Sequence, residues 1–361
     1  MLSRYFDNAA TTPCDSRVIE AMTRFLQDEP GNPDSIHAFG IKARTAVERA
    51  RAQVASLIGA EDPTQVFFTS GATEANNWAL YQTSEGWMSP FEHSSVREPG
   101  HAKGLKVLSN QGYGLTFPED KSFVSCMAVC NENGAILPYG QGKGVQHCDA
   151  TQAIGKIPFS VGEIDYVTLS GHKLYSPKGV GILYVREPRT LKPLLYGGGQ
   201  EQGFRAGTSN VAGIVGLGMA AKIAEQEREI DFAHATQFRQ IVVEEVAKLD
   251  GVIVHGGDSY SPFILSMSFE DIEGESLVLE LDAKGFAISS GAACSSRKTD
   301  PSAVLLALKV PKEFLRGTIR ISFGRFNCEE SINDLAKLLC SEVARLRNLR
   351  NPQIYATYSQ F

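Results

Sequence analysis

Short apolar runs alternate with helix-length segments through the first two thirds of the chain. Gln65–Thr69, Lys106–Leu108, Phe123–Val129, Val145–Cys148, Tyr166–Leu169 and Gly181–Val185 each have the length and residue types of one strand. Before the first of them, Ile41–Ile58 repeats apolar residues at helical spacing, with Ala43, Ala46, Val47, Ala50, Val54, Leu57 and Ile58 on one side. Ala75–Tyr81 continues as a helix after it. Such alternation predicts an α/β domain with a mostly parallel sheet and helices on both faces. A helix from about Val211 to Leu249 then leaves that layer.

From Gly251 the texture changes. Val252–Val254, Ile264–Phe269 and Thr318–Phe323 read as strands, with clearer alternation than the earlier runs. Helices are expected near Glu275–Lys284 and Pro301–Leu308, the latter with Asp300 as cap and Pro301 at the first helical position. Glu329–Leu349 is amphipathic, with Ile332, Leu335, Leu338, Leu339, Val343 and Leu346 on its apolar face. The expected division is a large domain over residues 15–250 and a smaller α+β domain from residues 1–14 and 251–361.

With 361 residues, 43% of them hydrophobic, the chain can bury a large core. Its net charge is -6, with acids and bases mixed, and no basic block suggests direct contact with nucleic acid. Met1–Asp7 lacks the basic-then-apolar layout of a signal peptide. The longest apolar stretch, Val211–Ala221, is too short to span a bilayer. A cytoplasmic protein away from the membrane is therefore expected. Seven cysteines at irregular spacing argue against a disulfide framework. Cys126, Cys130, His147 and Cys148 lack paired zinc-ligand spacing and read better as apolar filler in buried strands, so no metal is expected.

Ser170-Gly171-His172-Lys173 carries the strongest chemistry. It follows the run Ile164–Leu169 and precedes Gly179–Val185. A lysine at a strand end can form a Schiff base with an aldehyde cofactor. Asp149-Ala150-Thr151-Gln152, at the end of another apolar run, offers a carboxylate for a pyridinium nitrogen. These are the two anchors that pyridoxal 5'-phosphate requires. Ser70-Gly71-Ala72-Thr73-Glu74, between a strand and a helix, suits a phosphate on exposed backbone N–H groups, although Ser and Thr there also make an ordinary cap. Gly142-Lys143 lacks the glycine and hydroxyl of a nucleotide loop, and Gly197-Gly198-Gly199 breaks the dinucleotide fingerprint at Gln202.

Three further candidates stand against bland alternatives. His93 could stack on the cofactor ring and move protons, or be structural. Cys294, in the small-residue run Ser289–Ser296, could reach into a cleft as a nucleophile or be an inert loop thiol. Arg320, on an alternating strand, could grip a substrate carboxylate or serve a salt bridge.

Taken together, these residues make the chain resemble the pyridoxal-phosphate cysteine desulfurases, the NifS/IscS branch of the class V aminotransferase fold. The likeness runs through Tyr5–Pro13, Gly31–Pro33, Ser70–Glu74, Glu92-His93, Asn131-Glu132, Asp149–Gln152, Ser170–Lys173, Arg205–Thr208, Ser289–Cys294 and Ile319–Phe326. It implies a fold type I transferase with a mostly parallel seven-stranded sheet and a smaller α+β domain. It also implies roles. Lys173 would form the Schiff base, Asp149 would pair with the pyridine nitrogen and Gln152 with the ring hydroxyl. Asn131 would lie near the ring edge and His93 over its face. Ala72, Thr73, Ser170 and His172 would hold the phosphate, and Thr208 would reach it from the other subunit of a homodimer. Arg320 would bind the carboxylate of L-cysteine with Asn32 nearby. Cys294 would take the sulfur as a persulfide, release L-alanine and pass the sulfur to an acceptor protein. Iron–sulfur assembly, tRNA thiolation and DNA sulfur modification are all destinations the resemblance allows.

The chain departs from that pattern in places. Ala128-Val129-Cys130-Asn131-Glu132 stands where the family has His-Val-Asn-Asn-Glu, and segments 79–91 and 134–145 are short. These changes spare the cofactor anchors and alter docking surfaces. Another activity of the same fold (selenocysteine lyase or aminotransferase) and a non-catalytic scaffold are the competing readings. Cys294 separates the first from a desulfurase, and the joint presence of Lys173, Asp149, His93 and Cys294 argues against the second.

Overall fold

The computed structural model describes residues 1–291 and 302–350, of residue 350 the backbone alone. Two compact units emerge. One comprises Thr11–Cys130 and Leu137–Glu229, the other Met1–Ala10, Asn131–Ile136 and the chain from Ile230.

The first unit is built on a seven-stranded sheet. Its strands are β1 (Val66–Thr69), β2 (Trp87–Met88), β3 (Lys106–Val107), β6 (Val124–Ser125), β7 (Gln146–Asp149), β8 (Tyr166–Ser170) and β9 (Gly181–Val185). A separate small hairpin, β4 (Asn110–Gln111) and β5 (Gly114–Leu115), stands outside it. The sheet order is β1-β9-β8-β7-β6-β2-β3. The four neighbouring pairs from β8 to β3 are parallel, and β9 is antiparallel to both β1 and β8. This is the mostly parallel seven-stranded sheet that the resemblance implies. Strands β1, β7, β8 and β9 are buried along their whole length. Burial on both faces explains why their sequences read as continuous runs rather than alternations.

Helices α1 (Ser16–Gln27), α2 (Ala38–Ile58), α3 (Ala72–Tyr81) and α4 (Ser94–Ala102) belong to this unit. Helix α1 starts where the Asp15 carboxylate accepts from the Arg17 amide, and α2 ends at Gly59, whose φ of 69° few other residues adopt comfortably. The apolar side of α2 read from sequence is largely buried, with Ala43, Val47, Ala50, Val54, Leu57 and Ile58 inside. A core cluster centres on Trp78 of α3, edge-on to Phe67 of β1 at 5.7 Å, with Leu80, Met88, Val96, Phe123 and Leu183 around it. The Trp78 indole N–H is satisfied by the Lys192 carbonyl at 2.8 Å. Truncating a buried aromatic of this kind to alanine typically costs about 3–5 kcal/mol. Helix α5 (Val211–Val246) is 36 residues long, and the division between the units falls within it.

The second unit holds a four-stranded antiparallel sheet in the order β10-β11-β13-β12: Val252–Val254, Ile264–Phe269, Thr318–Ser322 and Ser289–Ser290. Its helices are α6 (Gly274–Ala283), α7 (Ala303–Ala307), α8 (Lys312–Leu315) and α9 (Glu329–Arg350). The N-terminal residues join this sheet, with Tyr5 beside Ala287 and Asp7 beside Ser322. Segment 131–136 joins it through Ala135 and Tyr260. Helix α7 is capped by Ser302, whose hydroxyl accepts from the Leu305 amide at 3.2 Å. The start expected at Pro301 is therefore displaced. Asp300 and Pro301 lie outside the described residues. Among the described residues, no helix is long and apolar enough to cross a membrane.

Candidate active site

Three chain ends meet along one edge of the large sheet. Strand β1 ends at Thr69, β8 at Ser170 and β7 at Asp149. Thr69 and Ser170 both lie opposite Gly181, the first residue of β9, and Asp149 lies opposite Thr168 on β8. Residues just beyond the carboxyl ends of parallel strands form the usual ligand crevice of open α/β sheets. A side chain at Gly181 would collide with the Leu169 carbonyl oxygen at 2.5 Å and with Gly71 Cα at 2.7 Å. That glycine is what lets β9 run so close to the turn between β1 and α3.

The turn ends in an anion cradle. Gly71 caps α3 with φ 154° and has no side chain to offer its first-turn amides. Thr73 and the N–H groups of the first turn are thus available to a phosphate, and the helix dipole adds to their attraction. A Cβ built at Gly71 would lie 3.6 Å from Ser170 Oγ, so the Ser170 hydroxyl is beside the same helix end. The Glu74 carboxylate tightens the turn by accepting from the Ser70 amide at 2.9 Å, and Arg205 holds Glu74 in turn at 2.8 Å. Loop residues 201–208 are therefore stapled to α3. Glu201 adds a second staple, bonding the buried Arg51 at 2.8 Å and the Phe68 amide at 2.8 Å. Thr208 is exposed and lines a cavity with Thr69, Ser70, Arg205 and Asn210.

Lys173 closes a one-turn helix, Gly171–Lys173, directly after β8. Next to it, His172 accepts through its main-chain oxygen from the Thr12 amide at 2.9 Å, and its ring contacts Thr11 Oγ1 at 3.1 Å. Burial, then the charges of Lys173, Lys178 and Lys156, pull its pKa down to about 4, so the ring is neutral.

A buried hydrogen-bond chain links Asp149 to His93. Asp149 Oδ1 accepts from the Thr151 amide at 3.0 Å, and Oδ2 accepts from Asn76 Nδ2 at 2.9 Å. Asn76 Nδ2 also donates to Ser95 Oγ at 2.8 Å, and Asn76 Oδ1 accepts from Thr168 Oγ1 at 2.5 Å. Ser95 Oγ in turn lies 2.8 Å from His93 Nδ1. His93 is the cap of α4, with Nδ1 accepting from the Ser95 amide at 3.2 Å. Burial lowers the His93 pKa, against the pull of Asp149 and helped by Lys173 and Arg97. Asn76, Ser95 and Thr168 are functional neighbours that the motifs did not reveal.

Gln152 Oε1 accepts from the buried Lys156 Nζ at 2.7 Å, which leaves the Gln152 NH2 as the donor presented elsewhere. A carboxylate, an amine on a strand end, an amide donor and an empty-handed helix start together match the groups of pyridoxal phosphate. The residues present fit that cofactor.

Other expected residues are located differently. Asn32 is exposed in the turn before α2, where its Oδ1 accepts from the Asp34 amide at 3.0 Å, and it takes no part in the network above. Asn131 and Arg320 belong to the second unit. There the buried Arg320 donates through Nη2 to Asp7 at 2.8 Å and through Nη1 to the Asn131 carbonyl at 2.9 Å, while its Nε has no partner among the described residues. Cys294 lies outside the described residues. Cys126, Cys130 and Cys148 are buried, in the manner of apolar filler.

Comparison with known proteins agrees with this geometry. The family model for aminotransferase class-V matches residues 4–105 and 108–335. The chain is 37% identical over 382 residues to the cysteine desulfurase IscS of Dictyoglomus turgidum, covering 96% of this chain and 95% of that one. A solved NifS-like protein superposes with a TM-score of 0.87 at 35% identity, over 94% of this chain and 99% of its own. SspA in complex with cysteine superposes with a TM-score of 0.76 at 30% identity, over 90% of this chain and all of its own.

Proposed function

Because the chain belongs to the class-V aminotransferase family, and within it to the pyridoxal-phosphate cysteine desulfurases of the NifS/IscS type, we propose how its residues divide the work. The reaction converts L-cysteine to L-alanine and hands the sulfur onward, as in iron–sulfur cluster assembly. When bound, pyridoxal phosphate supplies the electron sink that lets the substrate's α-proton leave.

Lys173 holds the cofactor covalently and then carries the α-proton on its Nζ. Asp149 keeps a proton on the pyridine nitrogen, and Asn76 and Thr151 hold its two oxygens in place for that task. Ala72, Thr73, Ser170 and His172 retain the phosphate. His172 does so through a ring N–H. Gln152 donates to the ring hydroxyl and His93 covers the ring face. Arg320 takes the substrate carboxylate, with Asn131 beside the ring edge and Asn32 completing the substrate pocket. The unmatched Nε of Arg320 supports this role, because a buried donor without a partner is costly unless a ligand meets it.

The Cys294 thiolate attacks the sulfur of the bound cysteine. The substrate carbon–sulfur bond breaks, a sulfur–sulfur bond forms on Cys294, and the three-carbon product leaves as alanine after protonation. The persulfide then passes to a sulfur-acceptor protein. Thr208, exposed on a loop stapled to α3, is suited to reach the phosphate of a second copy, which makes the enzyme a homodimer.

One observation carries the reading: Asp149 ends β7 and Lys173 follows the end of the adjacent parallel strand β8 by one turn, next to a helix start with nothing of its own to cap it. Borohydride reduction of cofactor-loaded protein should label Lys173 and no other lysine. L-cysteine should yield alanine and Cys294-bound sulfane sulfur in equal amounts, and Cys294→Ala should lose more than 99% of that turnover, an order-of-magnitude expectation for a lost nucleophile. Undiminished alanine release by Cys294→Ala would instead assign a lyase that needs no thiol.

A further inference from the structure

His93 is held from one side. Its Nδ1 lies 3.2 Å from the Ser95 amide and 2.8 Å from Ser95 Oγ. A backbone N–H can only donate, so Nδ1 is an acceptor and carries no proton. The hydroxyl agrees, because of what lies behind it. One of its lone pairs accepts from Asn76 Nδ2, which also donates to Asp149. Asn76 is not free to turn over. Reversal would set its oxygen against the Asp149 carboxylate, two acceptors in contact, and would lose the hydrogen bond that the Thr168 hydroxyl now donates to Asn76 Oδ1. With Asn76 fixed as donor, the Ser95 hydroxyl sends its own hydrogen to His93. Donation therefore runs outward from the Asn76 NH2, one hydrogen to the Asp149 carboxylate and the other to Ser95, whose hydroxyl passes its own hydrogen on to the imidazole.

We propose that Ser95, oriented by Asn76 and Asp149, is a positioning residue that fixes His93 as the neutral imidazole with its proton on Nε2. His93 then meets the reacting group with an N–H rather than a lone pair. Among the described residues nothing bonds Nε2, so this donor is uncommitted. Three charges bear on the ring: Asp149 from β7 favours the imidazolium, and Lys173 after β8 and Arg97 on α4 oppose it. Burial sides with the latter two. The proposal rests on the reading of His93 as a catalytic group.

Nitrogen NMR of histidine-labelled full-length protein tests it, with and without pyridoxal phosphate, and His93→Gln identifies the His93 signals among the seven histidines. The expected pattern is a protonated Nε2 and a bare Nδ1 at neutral pH in both forms. Ser95→Ala keeps the backbone amide contact but loses the shorter hydroxyl hydrogen bond to Nδ1, so it should admit the second tautomer and lower kcat about tenfold, less than the roughly hundredfold or more that proton transfer itself contributes, with KM for cysteine little changed. Ser95→Thr should restore both. A proton on Nδ1 in the unaltered protein, or an unchanged imidazole pattern in Ser95→Ala, overturns the proposal. Full turnover in His93→Gln removes His93 from the reaction and with it the functional half of the proposal, while the imidazole signals still decide the tautomer.

Discussion

Glu92 precedes His93 in the chain, yet its carboxyl is buried. Oε1 accepts from the Met127 amide at 2.8 Å, and Oε2 has no partner among the described residues. Burial, reinforced by the nearby Asp149 charge, pushes its pKa up to about 8. The folded chain keeps this proton over a range where the unfolded chain has released it. The stabilisation that Glu92 contributes is therefore fully present below the unfolded value of about 4.3 and is lost as pH rises toward 8, by up to about 1.4 kcal/mol per pH unit. Glu92→Gln removes the ionisation and keeps an oxygen for Met127. Urea titrations between about pH 6.5 and pH 8 should show a flatter dependence in this variant than in the parent. Equal slopes would mean that Glu92 does not titrate with folding.

At the scale of elements, the contact of β9 with the β1–α3 turn is the tightest constraint on the site. Gly181→Ala should force the strand and the turn apart, costing about 1–3 kcal/mol in stability and loosening the phosphate cradle. Thermal melts and the visible absorbance of bound cofactor report the two effects, and a variant that keeps both at parental values would show that the strand gives way easily. Most of this level could be read in the sequence. The runs at β1, β8 and β9 and the apolar side of α2 were evident because full burial leaves unbroken apolar segments. The run Phe123–Val129 was legible only in part. Its backbone continues beside β7, with the Cys126 and Ala128 amides on the His147 and Asp149 carbonyls. On the other flank the Glu92 carboxylate takes the Met127 amide, and the strand stops at Ser125. Lys173, Asp149 and Thr73 stood out because each adjoins a strand end. Asn76, Ser95 and Thr168 did not, since a polar residue in a helix or strand reads as solvent-facing until the packing shows it buried. Asn76 reaches Ser95, Asp149 and Thr168 across 19 to 92 residues of chain.

Across the whole molecule, histidines lowered by burial govern the response to mild acid, His93 among them. Burial draws His147, His172 and His255 down to about 4. A histidine lowered in the fold gives its full contribution above the unfolded value of about 6.5 and loses it as pH falls through 4. His147 and His255 are well buried, and His172 adds a smaller share because solvent screens it. Below pH 6.5 these outweigh the opposing proton of Glu92, and above it Glu92, joined toward pH 9 by the buried thiols of Cys126 and Cys148, lowers stability. Stability should thus peak near about pH 6.5, and chemical denaturation across pH 4–9 would reveal the peak; a steady rise to pH 9 would contradict it. The order of the large sheet also bears on how the chain is made. Strand β1, with Phe67 and Phe68 fully packed in the finished fold, has β9 as its one strand neighbour among the described residues. Some hundred residues separate the two, so a ribosome adding about 5–20 residues per second leaves that greasy edge without a mate for on the order of ten seconds. The nascent polypeptide is then most exposed to clumping, and most in need of a chaperone, just before the lysine that will grip the vitamin leaves the exit tunnel.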